Sequence, residues 1–180
     1  MVIWITGISG AGKTTICETI VGMTKPSVPE LVLLDGDVVR NVFGDELGFT
    51  EADRVRQIQR IQRFSKELET QDLIVLVAAL YANYELLDWN RTNFKDYTEI
   101  YLEAPLSLVK DRDPKGLYAK AQAGEMKNVV GIDIPWNAPT NATLKINMAD
   151  AETPEAISRR IIDAVPGLSG KLKLARFANV

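Results

Sequence analysis

The stretch GISGAGKTT, residues 7–15, constrains this chain more than any other. It follows a short β-branched run, Val2–Thr6, and opens an apolar-periodic segment from 12 to about 21. Gly7, Gly12, Lys13 and Thr14 fit G-x-x-x-x-G-K-[ST], with the strand before and the helix after that the pattern requires. Glycines let successive backbone N–H groups turn inward around phosphate oxygens. The helix N-terminus adds partial positive charge. Lys13 then reaches the β- and γ-phosphates, and the Thr14 hydroxyl ligates Mg²⁺. Ser9, Gly10, Ala11 and Thr15 complete the expected cradle. It implies a nucleoside triphosphate with Mg²⁺ and does not separate a motor from a switch or a kinase. No N-K-x-D guanine motif is present, and DELG at 45–48 reads as a turn into the next helix.

The rest of the chain alternates strand and helix patterns. Strands are expected at 31–34, 73–80, 98–102 and, more weakly, 144–148. A long helix is expected from 50 to about 71. Thr50 and Asp53 form its capping box, and Val55, Ile58, Ile61, Phe64 and Leu68 its apolar stripe. Helices are also expected at 85–93 and from Thr153-Pro154 to just before Pro166-Gly167. This alternation implies a parallel sheet with right-handed crossovers and helices on both faces. With 180 residues at 46% hydrophobic content, one domain spanning 1–180 is expected. Residues 167–180 read as a loosely docked terminus.

Several function classes are excluded at once. The chain has no histidine, so Ser-His-Asp and Cys-His nucleophiles and histidine metal sites are absent. Net charge is −3, so no broad basic face advertises a nucleic acid. No apolar run is long enough for a membrane span, and MVIWITG lacks the features of a signal peptide. The single Cys17 reads as a buried core residue and points to a reducing cytoplasm.

LLDGDVVR places Asp35 and Asp37 past the carboxyl end of the second strand, where open α/β sheets bind ligands. Such carboxylates hold a metal-bound water, orient an acceptor hydroxyl or take its proton. Arg40 follows and meets an anionic substrate. The bland alternative is a solvated Asp-Gly turn.

The pieces GISGAGKTT, LLDGDVVR, LGFTEADR, RDPKGLYAKAQAGEMKN and GIDIPWNAP occur in this order over residues 7–139. Together they resemble the adenylylsulfate kinase (APS kinase) family, which moves the γ-phosphate of ATP to the 3′-hydroxyl of adenosine 5′-phosphosulfate. The resemblance implies a P-loop NTPase-type α/β three-layer fold with strand order 2-3-1-4-5 and a short lid at about 112–130. It implies Lys13, Asp35 and Asp37 as catalytic residues, with Asp35 reaching Mg²⁺ through water beside Thr14. Arg112 joins the ATP side. Arg40 and Arg54 hold the acceptor's anionic 5′ group, Gln57 shares a helix face with Arg54, and Phe49 stacks on its base. Lys115 acts from the lid, whereas Lys120 reads as an exposed helix residue. Asp113-Pro114 reads as a helix start and Gly124 as its stop. Lys127, Val129, Val130 and Gly131 form a wall of the acceptor pocket, with Gly131 admitting the ligand closely and Trp136 packing behind. A homodimer in the cytoplasm is implied.

The chain departs from the family pattern at Val129, where an aromatic is usual, and at Gln57 and Gln59. It departs again at Ala82, Asn83 and Glu85. These changes read as a cluster on the acceptor side. They leave two alternatives open: another acceptor, such as cytidine diphosphoramidate, or a nucleotide-binding regulator that transfers nothing.

Overall fold

The computed structural model describes residues 1–44, 46–80, 83–150 and 152–178. The readings that involve Asp45, Ala82 and positions 179–180 fall outside these residues. The central strand is β1, Val2–Thr6, buried at every position. It pairs in parallel with β3, Ile74–Ala79, on one side and β4, Tyr97–Glu103, on the other. β2, Leu31–Asp35, lies outside β3, and β5, Leu144–Asn147, outside β4. The sheet order is β2-β3-β1-β4-β5, as expected. β3 is apolar throughout because a central parallel strand is covered on both faces.

The path β1 to β2 runs one way across the sheet and β2 to β3 runs back. Right-handed crossovers therefore put the intervening helices on opposite faces. On one side α1, Lys13–Thr24, packs on α7, Pro154–Asp163, which meets α8, Pro166–Ala178. On the other, α3, Glu51–Thr70, packs on α2, Gly36–Val42, and α4, Tyr84–Asn93. Two short helices, α5 at Leu106–Arg112 and α6 at Leu117–Gln122, follow β4.

Caps set these boundaries. Thr50 accepts from the Asp53 N–H, and Thr153 from the Ala156 N–H. The expected helix start at Asp113-Pro114 is corrected: α6 begins at Leu117. Asp113 still serves it, accepting from the Tyr118 and Ala119 N–H groups at 3.2 and 2.9 Å. Gly124, at φ 75°, does follow its last turn. The segment after Pro166 is helical, with Leu168 fully buried and Lys171 paired with Glu30.

Glu69 fastens α3 to the start of β4. It is buried, and its carboxylate accepts from the Lys95 and Asp96 N–H groups and from Lys66. Burial pushes its pKa up, but these hydrogen bonds outweigh burial and hold it below the ordinary glutamate value. Its stabilising contribution is therefore complete above about pH 4.3, the unfolded value, and fades as pH falls through the lower folded value. Glu69→Ala strands two backbone N–H groups. It should cost about 1–3 kcal/mol in urea denaturation at pH 7, with a smaller deficit in strong acid.

Candidate active site

The cradle forms where β1 ends and α1 begins. Lys13 folds back over its own loop, donating to the Gly7 and Ile8 carbonyls at 2.8 and 2.9 Å. Burial, and the positive Lys115 nearby, lower its pKa to about 8 against the pull of Asp37 and Asp35. Gly7 is needed for packing: a Cβ there would stand 2.7 Å from the Leu102 carbonyl oxygen of β4.

Asp35 and Asp37 differ sharply. Asp35 is buried at the tip of β2. One of its oxygens caps α2 through the Asp37 N–H at 2.9 Å; the other accepts from the Thr14 hydroxyl at 2.8 Å. Asp37 is exposed and ion-paired with Lys115 of the lid. The α2 helix, which Asp35 caps and Asp37 opens, has no counterpart in the sequence reading, where the bland alternative for its start was an Asp-Gly turn.

Past α2 the cleft carries two arginines around one ring. Arg40 donates to the Leu47 and Gly48 carbonyls at 2.6 and 2.9 Å and stands 4.7 Å from the centre of the Phe49 ring. Arg54 donates to the Phe49 and Asn128 carbonyls and stands 5.7 Å from the same ring. Both guanidiniums gain cation–π attraction there. Gln57 is buried and donates to the Gly36 carbonyl at 3.1 Å.

All of this surrounds one cleft of about 570 Å³. From the cradle it takes Ser9, Gly10, Gly12, Lys13, Thr14 and Thr15. From the acidic segment and α3 it takes Asp35, Asp37, Arg40, Phe49, Arg54 and Gln57. Arg112, Lys115, Lys127, Val129 and Val130 close it. Gly7, Ala11 and Gly131 do not line it.

The chain matches the adenylylsulphate kinase family over residues 1–147. It belongs to that family. An adenylyl-sulfate kinase of Picosynechococcus sp. is 40% identical over 157 residues, covering 87% of this chain and 89% of that one. One from Halothermothrix orenii is 38% identical over 161 residues, covering 89% and 86%. Among solved structures, the Mycobacterium tuberculosis APS kinase CysC in complex with AMPPNP and APS superposes with a TM-score of 0.80 at 31% identity. It covers 91% of this chain and 95% of that one. The shikimate kinase of Aquifex aeolicus, at TM-score 0.54 and 15% identity, shares the fold.

Against the family pattern, the departures do not form one cluster. Gln57 and Val129 line the cleft. Gln59 instead borders a second groove, beside Phe43 and Phe64. Asn83 caps α4, accepting from the Leu86 N–H at 2.8 Å, and Glu85 lies exposed in that helix's first turn. Gly131, at φ 91°, closely admits a protein neighbour and does not line the cleft. A Cβ there would come within 2.7 Å of Ile8, so glycine seats the wall loop on the cradle. Trp136 packs on Tyr101 and donates to its hydroxyl, as a wall residue.

The sequence reading missed the residue that shapes this wall. Asp133 accepts from the Asn128 and Val129 N–H groups. Those hydrogen bonds hold its carboxyl below the usual range and keep Asn128 at φ 63°. Asn128 in turn presents its carbonyl to Arg54. An aspartate bonding to nearby backbone is a recognisable turn device, but the stretch was read for its glycine and prolines. Ile58 and Ile61 also line the cleft and were read only as core. Asp133→Ala should raise the acceptor KM roughly tenfold while kcat changes little, because the wall shifts and the cradle does not. Steady-state kinetics with the acceptor varied at saturating ATP checks this.

Proposed function

We propose that this chain transfers the γ-phosphate of ATP to the ribose 3′-hydroxyl of adenosine 5′-phosphosulfate. The observation that carries the reading is the single cleft in which the phosphate cradle, the Asp-Gly-Asp turn and the paired arginines all meet. Relatives at about 40% identity that bear the name adenylyl-sulfate kinase support the acceptor.

Phosphoryl transfer is mainly positioning and electrostatics, so the absence of histidine is no obstacle. Lys13 gives up its loop carbonyls and turns to the β- and γ-phosphates. Arg40 and Arg54 hold the acceptor's anionic end, and Phe49 offers the open face of its ring to the base. Asp35 has both oxygens engaged within the protein, whereas Asp37 has one mobile ion-pair partner. Asp37 is thus the carboxylate suited to the 3′-hydroxyl. The hydroxyl proton passes to Asp37 as its oxygen bonds to the γ-phosphorus; the bond to the β–γ bridging oxygen breaks, and ADP leaves. Lys115 is released from Asp37 to face the transferring group, with Arg112 beside the nucleotide.

Two hard oxygen donors, the Thr14 hydroxyl and the Asp35 carboxylate, stand 2.8 Å apart and fit a Mg²⁺ site with Asp35 acting through water. No group of three or more His, Cys, Asp or Glu side chains that could hold a metal ion occurs among the described residues. Thr14 and Asp35 would hold Mg²⁺ there, and when bound it would neutralise phosphate charge.

Lys13→Ala should lower turnover by at least about 10²-fold. Asp35→Asn should raise the Mg²⁺ concentration needed for half-maximal rate, while Asp37→Asn lowers kcat at all Mg²⁺ concentrations. Labelled ATP with adenosine phosphosulfate, and separately with 5′-substituted cytidine nucleotides, reads these effects. Preference for a cytidine acceptor would overturn the acceptor; binding of ATP with no transfer would leave a regulator.

The reading extends to the setting. No described helix is long and apolar enough to cross a membrane, and Cys17 is a buried free thiol. Both suit a cytoplasmic enzyme. A homodimer fits the exposed apolar surface along α2 and α3. Val38, Val42, Phe43 and Phe64 lie there, with Phe43 and Phe64 in edge contact at 6.5 Å. Contiguous apolar surface of this kind marks association sites. Sedimentation should show a dimer that Phe64→Glu converts to monomer; a dimer indifferent to that change places the interface elsewhere.

A further inference from the structure

Tyr118 belongs to the short lid helix α6, yet its side chain is buried, with 2% exposure. Its hydroxyl donates to the Ser9 carbonyl of the phosphate cradle at 2.9 Å, across 109 positions of sequence. This bond therefore ties the lid helix to the loop at a water-excluded point. Burial, and the Asp113 carboxylate behind it, push the phenol up to about 12. It stays protonated, and so remains a donor, at any pH at which the protein works.

The Ser9 carbonyl shares its peptide plane with the Gly10 N–H. In a trans peptide the two point in opposite directions, and the chain contains no cis bond among the described residues. Fixing the carbonyl toward the buried phenol therefore aims the Gly10 N–H away from it. Ser9 and Gly10 both line the cleft. The Gly10 N–H has no backbone acceptor among the described residues. Gly10 itself is seated on Val109 of α5, where a Cβ would stand 3.3 Å away, so the plane is held from both ends.

We propose that Tyr118 is a positioning residue: its hydroxyl orients the Ser9–Gly10 peptide so that the Gly10 N–H meets the nucleotide's phosphate oxygens. The same bond makes lid order and phosphate binding one event. When the lid swings out, the carbonyl is freed and the plane can rotate. When a triphosphate fixes the N–H, the carbonyl is presented to Tyr118 and the lid is held down. Arg112 and Lys115, which precede α6 on the same lid, are then delivered to the phosphates together with the cradle. This inference rests on the phosphotransfer reading only for its kinetic arm.

Tyr118→Phe tests it, because the ring still fills its site and only the hydroxyl is lost. The variant should melt within a few degrees of the parent. Its kcat should fall roughly tenfold and its ATP KM rise, since a preorganised donor is loosened and not deleted. The acceptor KM should rise less than the ATP KM, because Arg40, Arg54 and Phe49 are carried by α2, α3 and the segment between them, outside the lid. A purely structural role would lower all parameters together with the folded fraction, and that result would overturn the proposal. The second arm is hydrogen exchange of residues 117–122 with and without a non-hydrolysable ATP analogue. The parent should gain protection on binding and Tyr118→Phe should not; equal protection in both would overturn it. A parent that phosphorylates no acceptor would remove the kinase reading, and the exchange arm would still decide this one.

Discussion

The hydrogen bond from the Thr14 hydroxyl to Asp35, at 2.8 Å, is what makes two loops into one site. β1 and β2 are not neighbours; β3 runs between them. Their tips are therefore separated by two strand spacings, about 10 Å. Thr14 bridges this because it sits in the first turn of α1, which leans over the end of β3. Ala78, Ala79 and Leu80 at that end form the floor of the cleft. Small residues there leave room above the strand for phosphate groups. The same bond engages one oxygen of Asp35 while the other caps α2. The carboxylate that links donor and acceptor sides is thus also the one that starts the helix carrying Arg40.

Charge follows a local logic that the totals hide. The chain is net negative, yet Lys13, Arg40, Arg54, Arg112, Lys115 and Lys127 converge on a single cleft. Several are parked on protein acceptors: Lys13 on the Gly7 and Ile8 carbonyls, Arg40 on the Leu47 and Gly48 carbonyls, Lys115 on Asp37. Carbonyls are good interim partners because a phosphate or sulfate oxygen, carrying full charge, outcompetes them. The cations are held apart in place; burial lowers the pKa of Lys13, and the positive charge of Lys115 lowers it further.

Much of this was legible in the sequence because it rests on local rules. The strands, α1, α3 and α7 announce themselves by period and by caps such as Thr50 and Thr153. The cradle announces itself by glycine spacing. What stayed hidden depends on tertiary partners. α2 is seven residues long and starts on Asp-Gly, which alone is good turn chemistry. α5 is as short, and α6, expected from Asp113-Pro114 to Gly124, starts later because its N-cap is Gly116, without a side-chain cap. Gly131 matters through its seat on Ile8, which no local pattern reveals, whereas the bonds of Asp133 to Asn128 and Val129 are local and carry a recognisable turn signal. The departure at Gln59 lies near Arg54 and Gln57 in sequence, but the fold turns it to the outer groove, and Asn83 serves as the cap of α4.

The acceptor end shows how recognition survives an aliphatic wall. In the proposed acceptor site, Val129 in place of an aromatic would leave the base one ring to stack on, Phe49. Losing a stacking partner is worth about 1–3 kcal/mol. Phe49 is more than half exposed, so by itself it would be a mobile and weak platform. Arg40 and Arg54 change that: both lie close to the ring, and both are fixed by carbonyls of the segment around it. The ring is thereby held in one orientation before the ligand arrives, and less ordering entropy is lost on binding. Ile58 and Ile61 add apolar area beneath. Preorganisation on one face can thus offset missing contact on the other, and in the proposed reading the two arginines would serve both the anionic group and the platform for the base.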